Sequence, residues 1–169
     1  MRNLHKRFHD HVVLDDVSFE LPWRTSMALI GPSASGKTVL LKCLLGLHDF
    51  EGGSVTIDGI DLAHATAEER DQLMDGIGVL FQQNALFDSL RIWENVCFRA
   101  LSNKTISRRK ARDRAVELLG QVGLGADVAD LGPADLSGGM QKRVGLARAI
   151  AAHPRILILD DPTAGLDPI

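Results

Sequence analysis

Eight consecutive residues, Gly31-Pro32-Ser33-Ala34-Ser35-Gly36-Lys37-Thr38, constrain this chain more than any other feature. Glycine, four residues, glycine, lysine and a hydroxyl residue form the phosphate-binding P-loop, or Walker A, pattern. Each position has a physical task. Gly31 and Gly36 let the backbone turn tightly, so that successive N–H groups face an anion. Lys37 brings a compact positive charge to the β- and γ-phosphates of a nucleotide. Thr38 offers a hydroxyl to Mg²⁺, which takes few protein ligands. The helix expected from Gly36 adds its free N–H groups and the positive end of its dipole. The flanks agree with this reading. Met27-Ala28-Leu29-Ile30 is an apolar run suited to a buried strand, and Val39 to Leu45 continues as a helix ending near Gly46.

Further elements follow from the pattern of apolar residues. Val17, Phe19 and Leu21 alternate with Ser18 and Glu20, which predicts a half-buried strand. Ser54 to Ile57 is a second strand, closed by the turn pair Asp58-Gly59. A short polar helix is expected from Ala67 to Met74, and Ile77 to Phe81 is a continuous apolar strand. Helices are expected over 92–101 and 107–122, then a Gly- and Asp-rich loop over 123–135. Ser137 caps a helix from Gly138 to about Ala152. Arg155 to Asp160 is a buried strand ending in a carboxylate. Strands alternating with helices imply an α/β fold with a mainly parallel sheet and a small antiparallel β part. The helix-rich stretch, about 84–132, reads as an inserted helical subdomain within a single domain over 1–169.

Bulk properties exclude some functions. The 169 residues suffice for one domain with a sizeable core. A net charge of −3 argues against a nucleic-acid binder, which usually shows a basic face. No apolar stretch follows the charges near Met1, so no secretory leader is expected, and no apolar run approaches the ~20 residues of a membrane-spanning helix. A membrane role would come through a partner, with no direct insertion. Cys43 sits in the apolar helix after the P-loop and reads as a core thiol. His5, His9 and His11 cluster without a Cys or carboxylate at zinc-site spacing, so they read as solvated side chains. The chain stops at Leu166-Asp167-Pro168-Ile169, where a parallel sheet would continue, and a truncated chain is expected.

Two other segments carry chemistry. A strand ending in Asp160 is the partner a P-loop needs, because it delivers a buried carboxylate to Mg²⁺, usually through a water. Asp161 is then placed to orient or deprotonate an attacking water, although Asp160-Asp161-Pro162 also makes an ordinary strand-ending turn. Leu136-Ser137-Gly138-Gly139-Met140-Gln141 is a helix entry and a second anion site. Two phosphate-binding helix termini in one chain suggest a site shared between subunits.

Taken in order, five motifs make the chain resemble the ATP-binding subunit of ABC transporters, over essentially its whole length. They are residues 31–38, Phe81-Gln82, Leu136-Ser137-Gly138-Gly139, Ile158-Leu159-Asp160-Asp161-Pro162 and Ala164-Gly165-Leu166-Asp167. The resemblance implies an ATPase with ATP and Mg²⁺ as cofactors, working as a head-to-tail dimer with an integral membrane permease on the cytoplasmic face of the inner membrane. It implies Thr38, Gln82 and Asp160 as the metal group, with Gln82 also near the attacking water. It implies Asp161 as the base. Ser137, Gly138 and Gly139 would clamp the γ-phosphate held by the opposite subunit, with Asp167 at the dimer seam. Phe8 matches the aromatic that stacks on adenine, or else packs on its sheet.

Within that family, residues 80–90 with Trp93-Glu94-Asn95-Val96, and Met140 after Ser-Gly-Gly, resemble the Mla-type ATPases that serve phospholipid transport between bacterial membranes. The chain also departs from the pattern. Ala34 replaces a common glycine, which alanine tolerates if φ is negative there. Arg24-Thr25 replaces a common Gly-Glu, and Asp161 stands where a catalytic glutamate is expected. The switch histidine that the resemblance implies after the fifth motif would fall beyond Ile169, and His153 precedes Asp160 and cannot serve. Two alternatives are a nucleotide-binding chain without turnover and a soluble ABC ATPase of repair or translation. The stretch from Thr38 to Leu136 has no heptads of the repair type.

Overall fold

Residues Arg2–Phe8 (β1) and His11–Val17 (β2) pair as an antiparallel hairpin, closed at Phe8↔His11. His9 takes φ 52° at the turn. Asp16, also at positive φ, lies at a register shift of this pair, between Val17 and Leu14. In this computed structural model residues 1–82 and 86–162 are described, in two units, Met1–Met74 and the chain from Asp75 onward.

In the first unit β1 also pairs with Gly52–Ser54 (β3), giving the order β2-β1-β3. Gly53 has φ +90°, and a Cβ there would lie 2.3 Å from the Asn3 carbonyl, so only glycine allows this approach. The strand expected over 17–21 is realised in part. β2 ends at Val17, then Phe19 exchanges two backbone hydrogen bonds with Met1 (3.2 and 2.9 Å), and Leu21 lies exposed beyond them.

Met27–Ile30 differs more sharply from expectation. It joins no ladder, and Ile30 is 94% exposed. Apolar content favours a strand only where a neighbouring strand accepts its hydrogen bonds, and the strands of this unit are paired with one another instead. The P-loop follows, and then α1 (Lys37–Leu44) buries Leu40 and Cys43. Gly46 at φ 65° ends α1: its N–H donates to Cys43 O, and Leu47 N–H donates to Lys42 O (2.8 Å), which closes a Schellman turn. Thr56–Ile57 (β4) and Ile60–Asp61 (β5) form a hairpin whose turn residues, Asp58 and Gly59, both have positive φ. α2 (Ala67–Asp75) opens on a capping box, in which Thr66 Oγ accepts from Glu69 N–H and the Glu69 carboxylate accepts from Thr66 N–H.

The second unit is built on a parallel pair, Ile77–Leu80 (β6) beside Ile156–Leu159 (β7), in register from Ile77↔Ile156 to Leu80↔Leu159. Between them in sequence come α3 (Ile92–Val96), α4 (Phe98–Ser102), α5 (Arg108–Gln121) and α6 (Gly138–Ile150). The helix expected over 92–101 breaks at Cys97, whose φ and ψ of −99° and 18° leave the helical basin. Ser137 caps α6, as its sequence position predicts, and Ser107, expected as the first residue of its helix, caps α5. Ile92, Val96, Ala111, Ala115, Leu119 and Val144 form a closed helical core. Burial of each large aliphatic side chain there contributes roughly 1.5–3 kcal/mol. α6 packs on β6 at Gly78, where a Cβ would lie 2.2 Å from the Ala149 carbonyl. Among the described residues no helix is long and apolar enough to cross a membrane.

Candidate functional site

The loop from Gly31 to Ser35 is exposed, while Gly36 is buried at its base. Gly36 takes φ +89°, and a Cβ would meet the Val13 carbonyl at 3.0 Å and a Leu14 methyl at 3.1 Å. At Gly31 a Cβ would meet Ser35 Oγ at 3.0 Å. Gly36 is therefore required by geometry as well as by backbone freedom, whereas at Gly31 a methyl would meet only the end of a serine side chain. Gly36 is the N-cap of α1 and has no side chain to cap it, and the first bond of the helix is Leu40 N–H to Gly36 O at 2.8 Å. The Lys37 ammonium folds over the loop and donates to Gly31 O (2.8 Å), Pro32 O (2.7 Å) and Ser35 Oγ (3.4 Å). An exposed loop, the positive end of a helix dipole and an ammonium laid over the loop fit a polyphosphate. Ser33 is exposed in the same loop, and Thr38 lies in the first turn of α1.

Ala34 is where the loop departs from expectation. Its φ is +61°, not negative. The tight turn between Pro32 and Gly36 requires a left-handed residue there, and an alanine bears the steric cost that a glycine would not.

Phe8 ends β1 and is 40% exposed. His48 meets its ring edge-on, with centroids 5.5 Å apart, and the Lys6 ammonium lies 5.0 Å from the ring centre. Lys6 is itself buried and donates to Glu51 Oε1 at 2.7 Å, while Glu51 Oε2 accepts from Arg7 N–H at 2.8 Å. Those bonds, the lysine's first, hold the Glu51 carboxyl below its ordinary range. Phe8 thus has an ammonium over its ring and an imidazole against it, and stays part-exposed.

In the second unit β6 and β7 end side by side. Asp160 is buried, with its N–H donating to Leu80 O at 2.8 Å. Gln82 and Asp161 are exposed beyond the strand ends, and Gln82 Nε2 reaches Asp161 Oδ2 at 3.5 Å, the outer limit of a hydrogen bond. Asp161 adopts φ 52°. Ser137 accepts from Met140 N–H at 3.3 Å, and Ser137 and Gly138 are exposed, with open space where a Gly138 Cβ would stand. Gly139 follows in the first turn of α6. Asp167 lies outside the described residues.

The sequence model of the ABC transporter family matches residues 14–164. The chain belongs to this family. It is 40% identical over 169 residues to the "Probable ribonucleotide transport ATP-binding protein mkl" of Mycobacterium leprae, covering 100% of this chain and 48% of that protein. It is 42% identical over 171 residues to a sulfate/thiosulfate import ATP-binding protein of Burkholderia mallei, covering 99% of this chain and 47% of that one. The glutamine transport ATP-binding protein of Escherichia coli is 37% identical over 167 residues, with 99% and 69% covered. The chain thus spans about half the length of the first two relatives. Among solved structures it resembles a dimeric bacterial ABC transporter cassette, with a TM-score of 0.91 at 32% identity over 98% of this chain and 75% of that one. A post-hydrolysis state of the same cassette, bound to ADP and Pi, gives a TM-score of 0.89. The P-loop NTPase fold class and the family expected from the five motifs are both borne out.

Three residues of this ABC cassette carry structure that motif reading passed over. Lys142 is only 5% exposed, and its Nζ donates to Asp161 O at 2.8 Å. Its signal was a lysine on the buried stripe of α6, beside Val144 and Gly145. Asn95 is fully buried; its amide donates to the carbonyls of Phe87, Leu90 and Arg91, and its Oδ1 accepts from Phe87 N–H at 2.8 Å. It fastens residues 87–91 to α3. Glu51 had no sequence signal, since it bonds to residues more than forty positions away.

Proposed function

We propose that this chain is the ATP-binding and hydrolysing part of an ABC transporter. The observation that carries the reading is the P-loop itself: a Gly36 that geometry requires at the start of α1, and a Lys37 ammonium already resting on the loop. In this reading Gly31 to Thr38 hold the triphosphate and Phe8 stacks on the base. Thr38, Gln82 and Asp160 serve Mg²⁺, which when bound supplies charge neutralisation of the phosphates. Asp161 accepts the proton of the attacking water. Ser137, Gly138 and Gly139 engage the nucleotide of a second, head-to-tail subunit, and Asp167 belongs to that seam. The partner in the membrane is a permease, and the cassette works on its cytoplasmic face.

The finer reading is phospholipid transport. It is supported by residues 80–90, by Trp93 to Val96 and by Met140. The named relatives handle a ribonucleotide, sulfate or thiosulfate, and glutamine, so likeness to them does not select a substrate.

Equilibrium binding of ATP to Lys37→Ala tests the first reading. Loss of a charge-assisted bond costs roughly 1.5–3 kcal/mol, so affinity should fall about ten- to a hundredfold. Parental affinity in the folded variant would overturn the assignment. Stimulation of phosphate release by phospholipid vesicles, against sulfate or glutamine, in the full-length protein with its membrane subunit tests the second. Stimulation by a small solute alone would refute it.

A further inference from the structure

Asp161 is gripped at both ends by residues of different elements. Gln82, beyond β6, meets its carboxylate at 3.5 Å, and Lys142, in α6, meets its carbonyl at 2.8 Å. The two grips differ in quality. The glutamine contact is long and exposed. The lysine contact is short, charge-assisted and partly buried, and a buried ammonium is costly unless it finds such an acceptor. Asp161 also has φ 52°, in the left-handed region, which aspartate enters more readily than most L-residues but still at a steric cost that its contacts offset.

Lys142 lies five residues after Ser137 in the same helix, a rise of roughly 7.5 Å. The backbone bonds of α6 make that interval stiff. Whatever Ser137 and Gly138 engage at the helix N-terminus therefore acts on the body that carries Lys142.

We propose that Lys142 is a positioning residue for hydrolysis, which ties the phosphate-facing end of α6 to the backbone of Asp161. The proposal rests on the reading of Asp161 as base and of Ser137 as a ligand of the opposing subunit's nucleotide. Without the lysine, Asp161 relaxes toward negative φ, its Cα–Cβ bond swings, and the carboxylate leaves its water. A misplacement of about 1 Å in a reacting group can cost on the order of a hundredfold in rate. ATP binding by the P-loop needs none of this and stays as it was.

The test is steady-state phosphate release and ATP binding in the full-length protein. Lys142→Met should lower kcat by about tenfold or more, with the dissociation constant for ATP within about twofold of the parent. Lys142→Arg should restore most of the rate, since a guanidinium donates to the same carbonyl. In an Asp161→Asn background Lys142→Met should add almost nothing, because residues acting as one unit are not additive. Should Lys142→Met fail to fold, Lys142→Gln, which falls short of the carbonyl but keeps a polar group, should show the same loss of kcat. A parental rate in a folded Lys142→Met or Lys142→Gln, or losses that multiply in the double variant, would overturn the proposal. A parental rate in Asp161→Asn removes the base reading itself and this role of Lys142 with it. A slowed Asp161→Asn beside an unaffected Lys142→Met removes the role of Lys142 alone.

Discussion

Replacing Ala34 by glycine should stabilise the protein. Ala34 sits at φ +61° in the P-loop and is exposed, so its methyl group contributes no burial that the change would forfeit. An L-residue in the left-handed region bears a steric cost of roughly 1–2 kcal/mol. Glycine carries its own penalty through a freer unfolded chain, roughly 0.4–1 kcal/mol relative to alanine. The difference favours glycine by about 0.5–1 kcal/mol. In a protein of this size that corresponds to a rise in melting temperature of about 1–4 °C. The loop strain is present with and without ligand, so ATP affinity should stay within about twofold. The assay is the urea midpoint of parent and Ala34→Gly, with Gly36→Ala alongside as the opposite case. Gly36→Ala places a methyl against the Val13 carbonyl at +89° and should lower the midpoint. A fall in the midpoint for Ala34→Gly, by the entropy of glycine alone, would show that Ala34 sits at negative φ and refute the reasoning.

Asp161→Glu should raise the turnover of the full-length protein, because the longer side chain extends the reach of the base by about 1.5 Å; an unchanged or lower phosphate-release rate counts against Asp161 as base. Ser137→Arg should leave ATP binding intact and abolish hydrolysis, since the serine serves the partner's nucleotide; weakened binding in the monomer would place Ser137 in the same subunit's site. Acid should weaken the helical unit. The Arg91 N–H first, and the Arg108 guanidinium with it, hold the Glu94 carboxyl below its ordinary 4.5, and Arg112 lowers Asp130 likewise. Groups with depressed values stabilise fully above their unfolded values and lose that contribution as pH falls through the folded ones. The urea midpoint should therefore drop below about pH 4.5, and Glu94→Gln should flatten the profile. An unchanged slope in that variant would remove Glu94 from the account.

Much of this arrangement was legible because single residues carry it. Gly36, Gly46 and Gly59 announce their turns, Ser137 announces its cap, and β6 and β7 are apolar throughout. What stayed hidden depends on partners distant in sequence. Met27–Ile30 has the composition of a strand, yet composition names no neighbour to pair with. The break at Cys97 falls among good helix residues, without proline or glycine to mark it. The sign of φ at Ala34 follows from closure of the whole loop, which the alanine itself does not disclose. Asn95 looks like a surface residue until the carbonyls facing it are placed, and the place of Lys142 on the stripe of α6 does not name the carbonyl it meets.

The two cysteines give each unit its own clock. Cys43 is wholly buried in α1 and Cys97 is 3% exposed between α3 and α4, and burial raises both thiols above their usual range. Only a thiolate attacks an alkylating reagent, so in the folded protein each sulfur reacts only during the moments when its own surroundings open. Labelling rates at the two positions, read separately by mass, then measure two opening equilibria within a single molecule. Nucleotide that stiffens the P-loop helix should slow the first clock directly, and any change in the second reports how far that stiffening travels.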